Sequence, residues 1–139
     1  MNREQIAALI PHTGPMCLLD EAITWDASHI HCRSSSHLAE QNPLHRRGQL
    51  AAVNLVEYAA QAAALHSGLQ RQDAGDVRGG VLAGLRDVRL APGDMQQIDE
   101  PLEIHAHREI SSPLGMIYRF KVGTTTDVLA SGQVTIIMA

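Results

Sequence analysis

Residues 49–69 read QLAAVNLVEYAAQAAALHSGL, with alanine at nearly every third or fourth place and strong helix formers between. This predicts one long helix closing at Gly68. About 20 helical residues span about 30 Å, the width of a whole small domain. Alanine in such numbers lets another element approach closely, so the helix is expected inside the protein. A chain of 139 residues is the size of one such domain, 1–139. The rest of the sequence must then supply the layer that covers the helix.

That layer reads as strands. A short helical stretch over 3–10 closes at Pro11 and the Thr13-Gly14-Pro15 turn signal. Residues 16–25 and 28–34 alternate and carry β-branched side chains, and four more extended runs follow at 81–90, 101–110, 116–122 and 128–138. Their separators, such as Pro92-Gly93-Asp94 and Ser112-Pro113-Leu114-Gly115, have turn chemistry. Residues 35–48 and 70–80 are polar loops. Six strands and one buried helix predict an α+β domain, an antiparallel sheet wrapped around a central helix. The edge strands of such a sheet lack partners, and dimerisation through an edge is one remedy.

Composition narrows the function classes. With 45% hydrophobic residues a core can form, but aromatics are only 3% (Trp25, Tyr58, Tyr118, Phe120), too few for stacking platforms on single-stranded nucleic acid. Eleven Lys+Arg against 15 Asp+Glu give a formal charge of -4, so no basic footprint marks a nucleic-acid partner. No run approaches the roughly 20 apolar residues of a membrane span, and the first residues lack the apolar region of a signal peptide, so a cytoplasmic location is expected. Cys17 and Cys32 are too few for a disulfide framework and are expected as reduced, partly buried thiols.

Three segments carry a resemblance. Leu9-Ile10-Pro11-His12 followed by Pro15-Met16-Cys17-Leu18-Leu19-Asp20 is similar to the opening "LPHR-P-hydrophobic-LLVD" of the 3-hydroxyacyl-acyl-carrier-protein dehydratases. Val53-Asn54-Leu55-Val56-Glu57-Tyr58-Ala59-Ala60-Gln61-Ala62-Ala63 is similar to their helix motif "LIIEAMAQAA". Val81-Leu82-Ala83-Gly84-Leu85-Arg86-Asp87-Val88-Arg89-Leu90 is similar to their strand "FAGIDEARF". The order is right and the match extends over almost the whole chain. More closely, Ser36-His37, Asn42-Pro43-Leu44, Gly48-Gln49-Leu50, Glu57-Tyr58-Ala59-Ala60-Gln61 and His66 together resemble the dehydratase-like subfamily associated with aryl-polyene pigments.

The resemblance implies a hot-dog fold. It further implies a cofactor-independent lyase that removes water from 3-hydroxyacyl groups on the phosphopantetheine arm of an acyl carrier protein, in fatty-acid-like or polyene assembly. It also implies a homodimer, or a heterodimer with a homologous subunit. The sequence departs from the family at "GHFPG-P-hydrophobic-PG", where it has Pro43-Leu44-His45-Arg46-Arg47-Gly48-Gln49-Leu50-Ala51-Ala52. The base is therefore not assigned by the motif. Two alternatives follow: a catalytically weak partner subunit of a heterodimeric dehydratase, and an acyl thioesterase, since one fold hosts many chemistries.

Dehydration needs a base for the C2 proton, an acid for the departing hydroxyl, and donors for the thioester oxygen. Glu57 lies amid Ala, Val, Leu and Tyr, and burial there would favour a protonated, acid-competent carboxyl. Backbone amides near Ala51 and Ala52, at the helix start, are the expected oxyanion donors. The resemblance of Ser36-His37 to the pigment-associated subfamily makes His37 the preferred base and, from the family's dimers, implies that it reaches the carboxylate of a neighbouring subunit; His45, near the family's spacing from Glu57, is the alternative. Asn54 and Gln61, about one turn either side of Glu57, are expected to support its carboxyl. His66, near the expected helix end, reads as a structural cap, and His12 as fixing a turn or the substrate channel.

The remaining features point elsewhere or nowhere. His29-Ile30-His31 and His105-Ala106-His107 each place two imidazoles on one strand face, but neither pair has a third or fourth ligand at a recognisable spacing, so no metal is expected. Arg46-Arg47 with Arg71 and Arg78 would suit an acidic carrier protein or a solvated loop equally. Gly79-Gly80 lacks the Lys-Ser/Thr of a phosphate loop.

Overall fold

The structure, a computed structural model, describes residues 1–12, 14–73, 75 and 80–138. Thr13, Arg78 and Gly79 of the features above lie outside them. Alternation shapes the sheet. Along β2 (His29–Ser34) the side chains of Ile30, Cys32 and Ser34 are buried and those between them are not. β4 (Leu102–Ser112) buries Leu102, Ile104 and Ala106, and β5 (Gly115–Gly123) buries Met116, Tyr118, Phe120 and Val122. With β1 (Glu21–Trp25), β3 (Gly80–Leu90) and β6 (Val128–Met138) they form one antiparallel sheet in the order β1-β2-β4-β5-β6-β3.

The buried face wraps α2 (Leu55–Asp73), which packs on β2, β4, β5 and β6. Leu55, Tyr58, Ala59, Ala62, Ala63 and Leu65 are fully buried. This is the hot-dog arrangement expected from the sequence. β3 stands apart: it pairs only with β6 and its Val81, Leu82, Leu85, Val88 and Leu90 are exposed. Its register slips twice, and Asp87 at φ 54° lies between the second pair of slip points. A Cβ at Gly132 would come within 3.0 Å of the Arg86 carbonyl oxygen, so only glycine lets β6 follow that bulge.

Three boundaries differ from expectation. Residues 50–51 are extended and the helical course begins with a 3-10 turn at Ala52–Asn54, because the Leu50 amide donates to Asp94 Oδ1 (2.8 Å) and its carbonyl accepts from Met95 (2.7 Å). The helix runs through Gly68 to Asp73. There a Cβ would stand 3.3 Å from the Leu9 carbonyl oxygen, so glycine serves close packing and not termination. The first strand starts at Glu21, because the backbone of Met16 and Leu18 bonds to Gln61 of α2.

Candidate active site

The helix face that does not meet the sheet carries Glu57, Ala60, Ala64, Gly68 and Arg71, spaced three and four apart so that they form one stripe. This stripe floors a groove of about 690 Å³, walled by Val81, Leu82 and Ile136 of β3 and β6. The small side chains keep it open between Glu57 and Arg71, which are about 21 Å apart along the helix axis at 1.5 Å per residue. Arg71 closes the far end, its guanidinium against Ser67 Oγ and Met138 Sδ.

At the near end Glu57 meets an imidazole. His12 Nε2 stands 3.3 Å from Glu57 Oε1, with the two side chains 25% and 33% exposed. The chain delivers His12 by local means. α1 (Arg3–Ala7) is capped by Asn2, which accepts from the Gln5 amide while Gln5 Oε1 accepts from the Asn2 amide, both at 2.9 Å. Ile6 and Ile10 sink into the core, and Pro11 then turns His12 onto α2. Downstream, the Arg3 guanidinium donates to the Gly14 carbonyl (2.9 Å). Gln61 donates to the Met16 carbonyl (2.7 Å) and accepts from the Leu18 amide (2.9 Å).

Gln61 is therefore wholly buried and spent on the loop that follows His12, not on the Glu57 carboxyl. Asn54 does not line the Glu57 groove either. It opens with Ala51 and Val53 onto a second cavity of about 570 Å³ at the helix start. Ala52 is buried. The Ala51 and Ala52 amides thus lie beyond the first turn of α2, N-terminal to Glu57. The enclosure expected for Glu57 is absent from the protomer, since a third of the side chain is exposed to the groove.

Neither loop histidine approaches Glu57 within the chain. His37 sits in a 3-10 turn (Ser36–Leu38) with its ring 0% exposed and Nε2 donating to the Ile98 carbonyl (2.7 Å). Burial lowers its pKa below the usual imidazole value against the pull of its carbonyl acceptors. His45 Nε2 donates to the His37 carbonyl (3.1 Å). Tyr58 holds the same loop, its hydroxyl bonded to Ser36 Oγ (2.8 Å) and Asn42 Nδ2 (3.0 Å). Successive helix residues point about 100° apart, so Tyr58 faces the loop while Glu57 faces the groove.

His66 is a core residue in mid-helix, not a cationic cap. Its Nε2 donates to the Asp26 carbonyl (2.8 Å), so Nδ1 accepts the Tyr118 hydroxyl (2.6 Å). Burial lowers its pKa and raises that of Tyr118. Both cysteines are free and buried, and burial pushes the Cys32 thiol up to about 12. Arg71 belongs to the groove, while Arg46 and Arg47 are exposed on a tight turn where the Arg46 amide donates to the Gln49 carbonyl (2.8 Å). Sequence reasoning passed over His12 as a partner of Glu57. The signal was its position just after Leu9-Ile10-Pro11, which acquires meaning only once the Leu9 backbone packs on α2 at Gly68.

The fold has solved counterparts. A chain of the dehydratase heterocomplex ApeI:P from Xenorhabdus doucetiae superposes with a TM-score of 0.85 at 23% identity, covering 96% of this chain and 90% of that one. A mutant thioesterase from Pseudomonas aeruginosa gives 0.72 at 11% identity, covering 100% and 94%. A hypothetical thioesterase of Streptococcus pneumoniae with coenzyme A gives 0.61 at 12% identity, covering 86% and 84%. At these identities the likeness is one of fold. No curated protein matches the sequence. Residues 4–139, nearly the whole chain, match the family described as ApeP-like, ApeP dehydratase, and the protein belongs to that dehydratase family.

Proposed function

We propose that the chain dehydrates 3-hydroxyacyl thioesters carried on acyl carrier protein to 2-enoyl thioesters, in polyene or fatty-acid-like assembly. The observation that carries this reading is the Glu57 carboxyl facing the His12 imidazole at 3.3 Å, at the mouth of an apolar groove. A hydrogen on C2 and a hydroxyl on C3, on one face of an acyl chain, would meet two such groups at once. Neutral His12 Nε2 takes the C2 proton, and the C–H electron pair becomes the C2=C3 double bond. The C3–O bond breaks and the oxygen leaves as water with the proton of Glu57. Proton transfer from imidazolium to carboxylate then restores the pair, so the cycle needs no added acid, base or cofactor.

His12 takes the role first expected of His37. A ring with no exposed surface cannot touch a partner's carboxylate unless its loop moves, whereas His12 already lines the groove. Neither Ala51 nor Ala52 lines the Glu57 groove, so the step above gives the amides expected to hold the thioester oxygen no part. The exposed apolar β3 edge supports pairing with a homologous subunit, and that pairing would close the groove.

Turnover of a 3-hydroxyacyl thioester, followed by enoyl absorbance, tests the reading. Glu57→Gln and His12→Gln are each expected to lose about 10²- to 10⁴-fold in kcat, with His37→Gln retaining activity in a folded protein. Release of free thiol in place of an enoyl product would select hydrolysis. Activity surviving Glu57→Gln in a complex with a homologous subunit would make this chain the supporting partner.

A further inference from the structure

Outward-facing residues of β2 and β4 make a layer of imidazoles. His29 stands opposite His107 and His31 opposite His105, while Ile30, Cys32, Ile104 and Ala106 fill the inner face. The rings meet across the seam. His29 Nε2 lies 3.1 Å from His105 Nδ1 with the two centroids 5.3 Å apart, and His31 stacks on His105 at 4.2 Å. In the strand order, β1 and β2 join the rest of the sheet through this seam alone.

A ring-to-ring hydrogen bond has a fixed proton count. One nitrogen brings a proton and the other a lone pair. A further proton can sit on the far nitrogen of the donor ring, and the bond survives with one positive charge. The next must go onto the accepting nitrogen. It leaves two N–H groups face to face and two cations in contact, so the two rings resist charging together.

The surroundings do not cancel that charge. On β5, Lys121 stands opposite His105 and Arg119 opposite His107, which adds cations to the same face. The carboxylates nearby are already engaged. Glu103 Oε2 accepts from Arg33 Nε (2.8 Å) and its Oε1 meets His31 Nε2 (2.9 Å). Glu21 of β1 faces Arg33 (3.7 Å) and Glu109 faces Arg119 (3.3 Å). Asp26, in the β1–β2 turn, accepts from the Ser28 and His29 amides, and from α2 His66 reaches the same turn at the Asp26 carbonyl. Burial, with the neighbouring imidazoles, holds His29 and His105 below the usual imidazole value, against the pull of Asp26 and Glu103.

We propose that these histidines form an acid-operated clasp: a bridging proton between His29 and His105 fastens β2 to β4 near neutral pH, and charging both rings in acid unfastens the β1–β2 hairpin. The opened strands take up protons at about pH 6.5, and the closed seam only at lower pH. Closure is therefore complete above about pH 6.5 and is lost as pH falls. Because the Arg33 carbonyl accepts from the Asp20 amide (3.1 Å), release of β2 also loosens the segment that follows His12.

Hydrogen exchange on the full chain tests the clasp without any substrate, and so apart from the elimination chemistry. Between pH 7 and 5 the protection factors of the His29–Ser34 amides should fall by up to about tenfold per pH unit, the limit for one proton, and more steeply than those of β5 and β6. His29→Gln keeps a side chain that can bond to His105 but cannot charge, and it should flatten this dependence, as should His105→Gln. His12→Gln should leave it unchanged. In the unaltered protein, ring-nitrogen magnetic resonance should show one of His29 and His105 titrating about one pH unit or more below the other. Protection of β2 that is flat with pH, a dependence that persists in both glutamine variants, or two rings that titrate together near pH 6.5 would each overturn the proposal.

Discussion

Gln61→Met separates support of the active site from chemistry in it. The substitution keeps the volume but removes two hydrogen bonds of different worth. The Leu18 amide is buried and would lose its only acceptor among the described residues, at a cost of about 1–3 kcal/mol. Met16 is exposed, so water can replace the amide on its carbonyl, and that loss is nearer the ordinary net value of about 0.5–1.5 kcal/mol. Together they destabilise the protein by about 1.5–4.5 kcal/mol. The same bonds hold the loop that follows His12, and a catalytic group displaced by about 1 Å costs about 10²-fold in rate. Urea unfolding followed by circular dichroism, at one protein concentration because association shifts the midpoint, measures the first effect. Enoyl formation well below the midpoint measures the second. A stability change under about 0.5 kcal/mol would refute the argument, because the Leu18 amide would then have found another acceptor.

Other outcomes follow from buried polar groups and from the groove. Tyr118→Phe strips His66 Nδ1 of its donor and should cost about 1–3 kcal/mol in the same unfolding assay. His37 and His66 have lowered pKa values in the folded state, so below about pH 6.5 the unfolded chain binds more protons and stability falls with pH. The limiting slope is about 1.4 kcal/mol per pH unit for each imidazole, and a flat profile from pH 7 to 5.5 would contradict the burial of both. With its thiol pushed up to about 12, Cys32 should resist a thiol reagent in the native protein and react in urea. Ala64→Phe fills the groove midway along its stripe and should raise KM for long acyl chains while sparing short ones.

What could be read in the sequence was whatever has a local cause. Period-two alternation marked β2, where side-chain direction follows from the strand itself, and extended runs between turn residues marked β4, β5 and β6, all to within a residue or two. Glu57 was legible because a lone carboxylate in an alanine-rich helix contradicts its surroundings. The helix start was not, because Asp94, more than forty residues away, pulls Leu50 into an extended course. His66 was misread for the same reason: only the pairing of β4, β5 and β6 brings Tyr118 beneath it, and only the β1–β2 turn brings Asp26. The four outer histidines show the rule most plainly. Each pair was visible at its own spacing, but their register is a property of a pairing between strands about 75 residues apart.

One feature of the fold ties Glu57 to the strand that nothing covers. Acid catalysis by a carboxyl gains from exclusion of water, which strengthens the electrostatics of the site. Yet a third of the Glu57 side chain is exposed and the groove beside it is walled on one side by β3. The apolar side chains of that strand are left in solvent on an edge, where an unpaired ladder invites another strand. Covering β3 and drying the groove are thus one requirement. A homologous subunit laid along β3 would meet both, shielding the apolar edge and roofing the stripe from Glu57 to Arg71. On this reasoning the elimination proposed for His12 and Glu57 depends on a roof that the protomer does not itself supply.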